Sequence, residues 1–369
     1  MLLAIVGPSR SEVLRRTQGP RNGFAVLRGA SALAGARTLG PAVADPVRSR
    51  DGRGLPNGVI IMNRNGEKAR GDLYVRITDR IVAELERGVR PWVQPWAAAN
   101  IAGHIRRPLR HNGQPYTGIN VVLLWSEAIA RGFCSPVWMT FKQASELGAH
   151  VRKGETGSTV VYASRFTKTE TDARGDEIER DISFLKAYTV FCVDQIDGLP
   201  EHYYGRPAAV ASTIERNANA DAFFANTGAI VRHGGSMAFY APSSDHIQMP
   251  TIDSFRDTAS YVAVRAHETA HWTAPVHRVN RDLSRYGKDR SERAREELVA
   301  ELGSCFLCAD LGISPELEPR PDHASYLASW LDVLSSEKRF IFSAAAHAQR
   351  AVAYLHDQQP KPVDVEEAA

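Results

Sequence analysis

Residues 257–273 read DTASYVAVRAHETAHWT, and residues 293–312 read RAREELVAELGSCFLCADLG. In the first stretch His267 and His271 stand four positions apart in a helix-forming background. Residues four apart share one face of an α-helix, so both imidazoles can reach a single ion. Zinc favours neutral nitrogen ligands in near-tetrahedral geometry, and Zn2+ is the expected cofactor. Glu268 follows the first histidine and points beside the ion. There it can accept a proton from water and hand it to a leaving amine, which makes it the expected catalytic carboxylate.

A hydrolytic zinc needs a third protein ligand. The second stretch offers Glu296, Glu297 and Glu301, of which Glu297 and Glu301 share a face. E-x-x-x-E after H-E-x-x-H resembles the gluzincin pattern. That resemblance implies Glu297 as the third metal ligand and Glu301 as the carboxylate that orients a ligand histidine. Glu296 lies about 100° round the helix and is expected to be solvated. Tyr286, between the two helices, could stabilise an oxyanion, although a structural role is the simpler expectation. Cys305 and Cys308 form C-x-x-C inside an apolar run with no second pair, so they read as small core residues.

Before these helices come IERNANADAFFANTG, which suits a helix, and three short strand candidates, AIVRH, MAFYA and HIQMP. Helix, small sheet, then metal-binding helix is the order expected of a zincin-like unit. The strand at His246–Met249 could pair with an extended substrate. Two further helices are expected over about 322–334 and 337–357.

The upstream half reads differently. In residues 72–88, Leu73, Ile77, Ile81 and Leu85 recur every four positions, with Asp72 as N-cap and Gly88 then Pro91 as the stop. INVVLLWSEAIARG is an apolar helix closed by Gly132, and TFKQASELG carries a T-x-x-Q capping box at Thr140 and Gln143. STVVYASRF (158–166) and KAYTVFCVD (186–194) are strands, and the charged run between them reads as a mobile hairpin loop. GLPEHYYGRPAA reads as a linker. The expected fold class is α+β in two domains, a small mixed α/β unit and a zincin-like unit. The expected boundaries are 72–200 and 212–358, with a linker at 201–211 and a C-terminal tail at 359–369.

The net charge of +3 is unevenly placed, because residues 1–70 hold 12 Lys+Arg against 4 Asp+Glu. That segment has no sustained period and reads as a disordered basic tail or as sequence upstream of the true start. No stretch has the ~18 consecutive apolar residues of a membrane span, so no membrane partner is expected. Four cysteines suggest a reducing, cytoplasmic setting.

Six segments carry a family resemblance: GINVVLLW, WMTFKQASELGAHVRKGETGSTVVY, AYTVFCVDQIDGLP, HETAHWT, REELVAELGSCFLCADLGI and SEKRFIFSAAAHAQRAVAYL. In order and over about 72–358, they closely resemble the ArdC-type antirestriction proteins of plasmids and mobile elements. The resemblance implies an N-terminal single-stranded-DNA-binding domain joined to a zincin-like metallopeptidase domain that protects incoming DNA. The chain departs from the family at Cys192, where Asn is usual, and in APVHRVN after the metal helix.

Residues 72–200 hold 16 basic and 15 acidic groups, so any DNA contact must come from local clusters. Arg106, Arg107 and Arg110 share one loop, and Lys142, Arg152 and Lys153 surround the HVRKGETG turn, whose Gly154 and Gly157 amides could approach phosphates. Tyr116, with Trp92 and Trp96, offers a ring for stacking bases, the usual complement to a positive track. Two other readings stand beside this one. One is a DNA-covering protein with structural zinc; the other is a peptidase that cleaves a regulator and has no DNA role.

Overall fold

The computed structural model describes residues 66–92, 106–171, 177–204, 213–313 and 323–361. The tail at 1–65, Trp96 and the linker segment 205–212 lie outside the described residues. Helix α1 (Gly66–Glu86) buries Leu73, Ile77, Ile81 and Leu85, as their spacing predicts. It starts earlier than expected, so Asp72 lies within the helix and is not its N-cap. Next come β1 (Leu109–Arg110), α2 (Ile119–Arg131), β2 (Val137–Met139), α3 (Phe141–Glu146) and β3 (His150–Val151). Gly132 caps α2 in the left-handed region at φ 69°. The Thr140–Gln143 capping box of α3 is present in both directions.

Strands β4 (Ser158–Thr171) and β5 (Glu177–Cys192) are far longer than their apolar runs. The charged segment read as a loop instead pairs in antiparallel register from Ser158↔Val190 out to Thr171↔Glu177. Alternating β-branched residues such as Thr167, Thr169 and Thr171 carry the ladder outward although charged residues surround them in sequence. The first sheet has the order β1-β2-β5-β4, while β3 pairs with β6 (Ile196–Asp197). Part of the expected linker forms a helical turn, α4 (Glu201–Tyr204), pinned where Tyr204 Oη donates to the Ile196 carbonyl at 2.9 Å.

After α5 (Thr213–Asn226), strands β7 (Ile230–His233), β8 (Phe239–Ala241) and β9 (His246–Met249) form a sheet of order β7-β9-β8. This overturns one expectation. β9 is the central strand, paired with β7 on one side and β8 on the other, so it has no free edge for an extended substrate. Helices α6 (Thr258–Trp272), α7 (Arg290–Leu311), α8 (His323–Ser336) and α9 (Phe340–Asp357) complete the chain. α6 starts on Asp257, whose carboxylate accepts from the Ser260 amide, and α7 on Asp289. The two helices approach closely at Gly303, where an added Cβ would stand 3.2 Å from that of Ala270.

One apolar core runs from Leu73 on α1 to Leu355 on α9. Trp92 meets Trp330 edge-on at 5.8 Å, and Trp125 meets Phe306 at 5.9 Å. Asp79 on α1 pairs with Lys338 at 2.8 Å. The N-terminal module is therefore packed against α7, α8 and α9. We keep 72–200 and 212–358 as proposed module boundaries within this shared core. No described helix is long and apolar enough to cross a membrane.

Candidate metal centre

α6 and α7 lie side by side, which brings His267, His271 and Glu297 together with one potential ligand atom of each within 4.8 Å of the others. All three are buried. Glu297 Oε2 stands 3.3 Å from His267 Nε2, and its other oxygen stands 3.8 Å from His271 Nε2. Tyr286 donates its hydroxyl to Glu297 Oε1. Glu268 is buried beside them, and its charge bears on both His271 and Tyr286.

Each histidine has a second carboxylate on its Nδ1 side. Glu296 Oε1 lies 3.0 Å from His271 Nδ1, and the other ring nitrogen, Nε2, faces Glu297. Glu301 Oε2 faces His267 Nδ1 at 3.9 Å. Both acids are gripped by arginines. Arg281 binds Glu296 through Nε at 3.0 Å and Nη2 at 2.8 Å, and Arg90 Nη1 meets Glu301 at 2.9 Å. Glu296 is thus not solvated, as its angle on the helix suggested, but buried on His271. The loop after α6 returns Arg281 over that face of α7, where its own amide binds the Ala274 carbonyl at 2.7 Å.

The electrostatics follow from these contacts. Burial opposes charge on His271, yet the Glu296 hydrogen bond and the neighbouring carboxylates raise its pKa to about 9. Burial likewise opposes ionised Glu297, but the His267 hydrogen bond and the two imidazoles hold it at about 2. Burial, then Glu297, pushes the Tyr286 phenol upward. Two imidazole nitrogens and one carboxylate, buried and converging, are a donor set that suits a divalent ion. His267 Nδ1 is buried with no hydrogen-bond partner among the described residues, and Glu301 is the carboxylate placed to receive it. Cys305 and Cys308 form no disulfide and pack with the apolar core on α7, as expected.

The predicted DNA residues fare unevenly. Arg106, Arg110, Lys142 and Lys153 are exposed. Arg152 is exposed too, but tied to Glu155 at 3.0 Å and Asp197 at 3.4 Å. Arg107 must be corrected: it is buried, paired with Asp310 at 2.6 Å and bonded to Gln349 at 2.6 Å, so its charge is satisfied inside the protein. Tyr116 is corrected for the same reason, being buried beneath Arg110, and Trp92 is wholly buried. Gly157 is glycine because a Cβ would stand 2.2 Å from Thr189 Cγ2. Cys192 is buried and donates its amide to Gln195 Oε1 at 3.0 Å, holding the turn after β5.

The sequence reading passed over an aromatic row on the β4–β5 hairpin. By register Tyr162, Phe184, Lys186 and Tyr188 share one face. Tyr162 is 53% and Tyr188 44% exposed, and Lys186 Nζ lies 5.1 Å from the Phe184 ring centre. Period-two spacing in the two strands was the available signal.

A family model described as "Zincin-like metallopeptidase" matches residues 218–347, and one described as the N-terminal domain of anti-restriction factor ArdC matches 71–191. The chain is thus an N-terminal ArdC domain joined to a zincin-like domain. Two crystal structures of the antirestriction protein ArdC from plasmid R388, one metal-free and one Mn(II)-bound, are 46% and 43% identical to it. They cover 78% of this chain and 97% and 98% of their own, with TM-scores of 0.64 and 0.61. The chain belongs to the ArdC antirestriction family. Protein y4eC of Sinorhizobium fredii is 41% identical over 78% of this chain and 92% of its own length. DNA primase TraC of Escherichia coli is 36% identical over 75% of this chain, which spans only 26% of TraC.

Proposed function

We propose that the chain is an antirestriction protein that binds single-stranded DNA through its N-terminal module and hydrolyses a peptide bond at a C-terminal metal centre. The observation that carries the second half is the buried convergence of His267, His271 and Glu297 beside Glu268. These three residues would hold a divalent ion, and the Mn(II)-bound R388 structure supports that choice. The donor set suits zinc equally, and zinc remains our assignment. Such an ion supplies Lewis acidity toward water and a carbonyl oxygen. Glu268 takes the proton of the attacking water and returns it to the leaving amine. Glu296 and Glu301 fix the imidazoles, and Tyr286 holds Glu297 in place.

A Glu268→Gln variant should keep wild-type metal content while cleavage of an unfolded protein substrate falls at least about 100-fold. Unchanged cleavage would remove Glu268 from the reaction. Lost cleavage with intact protection of incoming DNA would favour the alternative in which the protein acts by covering DNA.

For the strand, exposed Arg106, Arg110, Lys142 and Lys153 provide positive charge, and the hairpin row adds rings on which bases stack without regard to sequence. Fluorescence anisotropy with a labelled oligothymidine should show binding that weakens with salt and survives duplex competitor. Tyr162→Ala with Tyr188→Ala should weaken it by at least about 30-fold, since each stacked ring contributes roughly 1–3 kcal/mol. Unchanged affinity in the double variant would displace the strand from the hairpin. No binding by the wild-type chain would remove the DNA role.

A further inference from the structure

We infer that the N-terminal module completes the metal centre, with Arg90 as the positioning residue that links the two. Arg90 follows α1, yet its guanidinium Nη1 sits 2.9 Å from Glu301 Oε1 on α7. Arg90 is only 13% exposed in this pair and Glu301 9%. The other Glu301 oxygen faces Nδ1 of His267, a metal-ligand candidate, at 3.9 Å. One carboxylate therefore has an arginine of the N-terminal module on one side and a ligand imidazole on the other.

The physical consequence follows from what Glu301 must do. A carboxylate that receives the Nδ1 proton of a ligand histidine fixes its tautomer and turns Nε2 toward the ion. A cation beside a buried carboxylate favours its charged form and fixes its direction. Arg90 is that cation, and it comes from the module to which we assign the DNA. The arrangement parallels His271–Glu296–Arg281, whose arginine is local. The difference is that the His267 arm draws its cation from the N-terminal module, through the single contact of Arg90 with Glu301.

This rests on the proposed metal centre, and its test separates the two. Mn(II) affinity of the full chain would be measured by competition with a chromophoric chelator, alongside thermal unfolding of the metal-free protein. Arg90→Ala and Glu301→Gln should each weaken Mn(II) binding about 10- to 100-fold, the range for outer partners of metal ligands. Arg90→Lys, which folds with the charge kept, should recover part of the loss. Arg107→Ala is the control, because it breaks another pair between the modules, at Asp310, remote from the ligands. It should lower the unfolding temperature and leave Mn(II) affinity unchanged. Wild-type affinity in Arg90→Ala, or an equal loss in Arg107→Ala, would overturn the inference alone. A wild-type chain that binds no Mn(II) and no zinc would overturn the metal centre itself.

Discussion

Replacing Arg281 with alanine is expected to cost the metal-free protein about 3–5 kcal/mol of stability. Its side chain is 4% exposed and every nitrogen is used. Nε and Nη2 hold both oxygens of Glu296, Nη1 reaches Thr273 Oγ1 at 2.9 Å, and Nη2 also reaches the Ala270 carbonyl at 2.7 Å. Truncation takes both guanidinium hydrogen bonds from the buried Glu296 carboxylate, which keeps its His271 contact at 3.0 Å, and loss of one partner of a buried pair costs far more than loss of both. Burial raises the Glu296 pKa, but His271 and Arg281 together bring it below the ordinary value, so the acid is ionised beside its arginine. Urea unfolding of Arg281→Ala, Glu296→Leu and the double variant separates the contributions. The double variant should be less destabilised than Arg281→Ala alone. A cost below about 1 kcal/mol for Arg281→Ala would show that Glu296 finds other support.

Much of the centre was legible because helical periodicity is local. His267, Glu268 and His271 needed only the four-residue repeat, while Glu297 came from the resemblance of the paired acids on the next helix to the gluzincin pattern. Glu296 was misjudged because its angle on α7 says nothing about a loop that folds back over it. Arg281 and Arg90 lie in irregular segments, where no period reports direction, and Arg90 meets Glu301 across 211 residues of chain. The order of strands in a sheet is equally invisible in a run such as HIQMP, which is why β9 was given a free edge it lacks. The hairpin erred the other way: charge suggested a loop, whereas cross-strand pairing continues through Lys168↔Arg180 to Thr171↔Glu177. Arg107 looked like part of a basic loop, but its partners Asp310 and Gln349 lie over 200 residues away.

We propose that one divalent ion is held by His267, His271 and Glu297. Glu297 is the ligand that α7 contributes, and it stands between the two imidazoles of α6. Without it two imidazoles remain, fewer than the three protein ligands of a hydrolytic site. The most direct test is titration of metal-free wild-type and Glu297→Ala full chains with zinc and with Mn(II), reading affinity and stoichiometry by chelator competition. The wild-type chain should bind one ion, and Glu297→Ala should lose more than the ~100-fold expected for an outer partner while remaining folded by circular dichroism. A folded Glu297→Ala protein that still binds one ion with wild-type affinity would contradict the account.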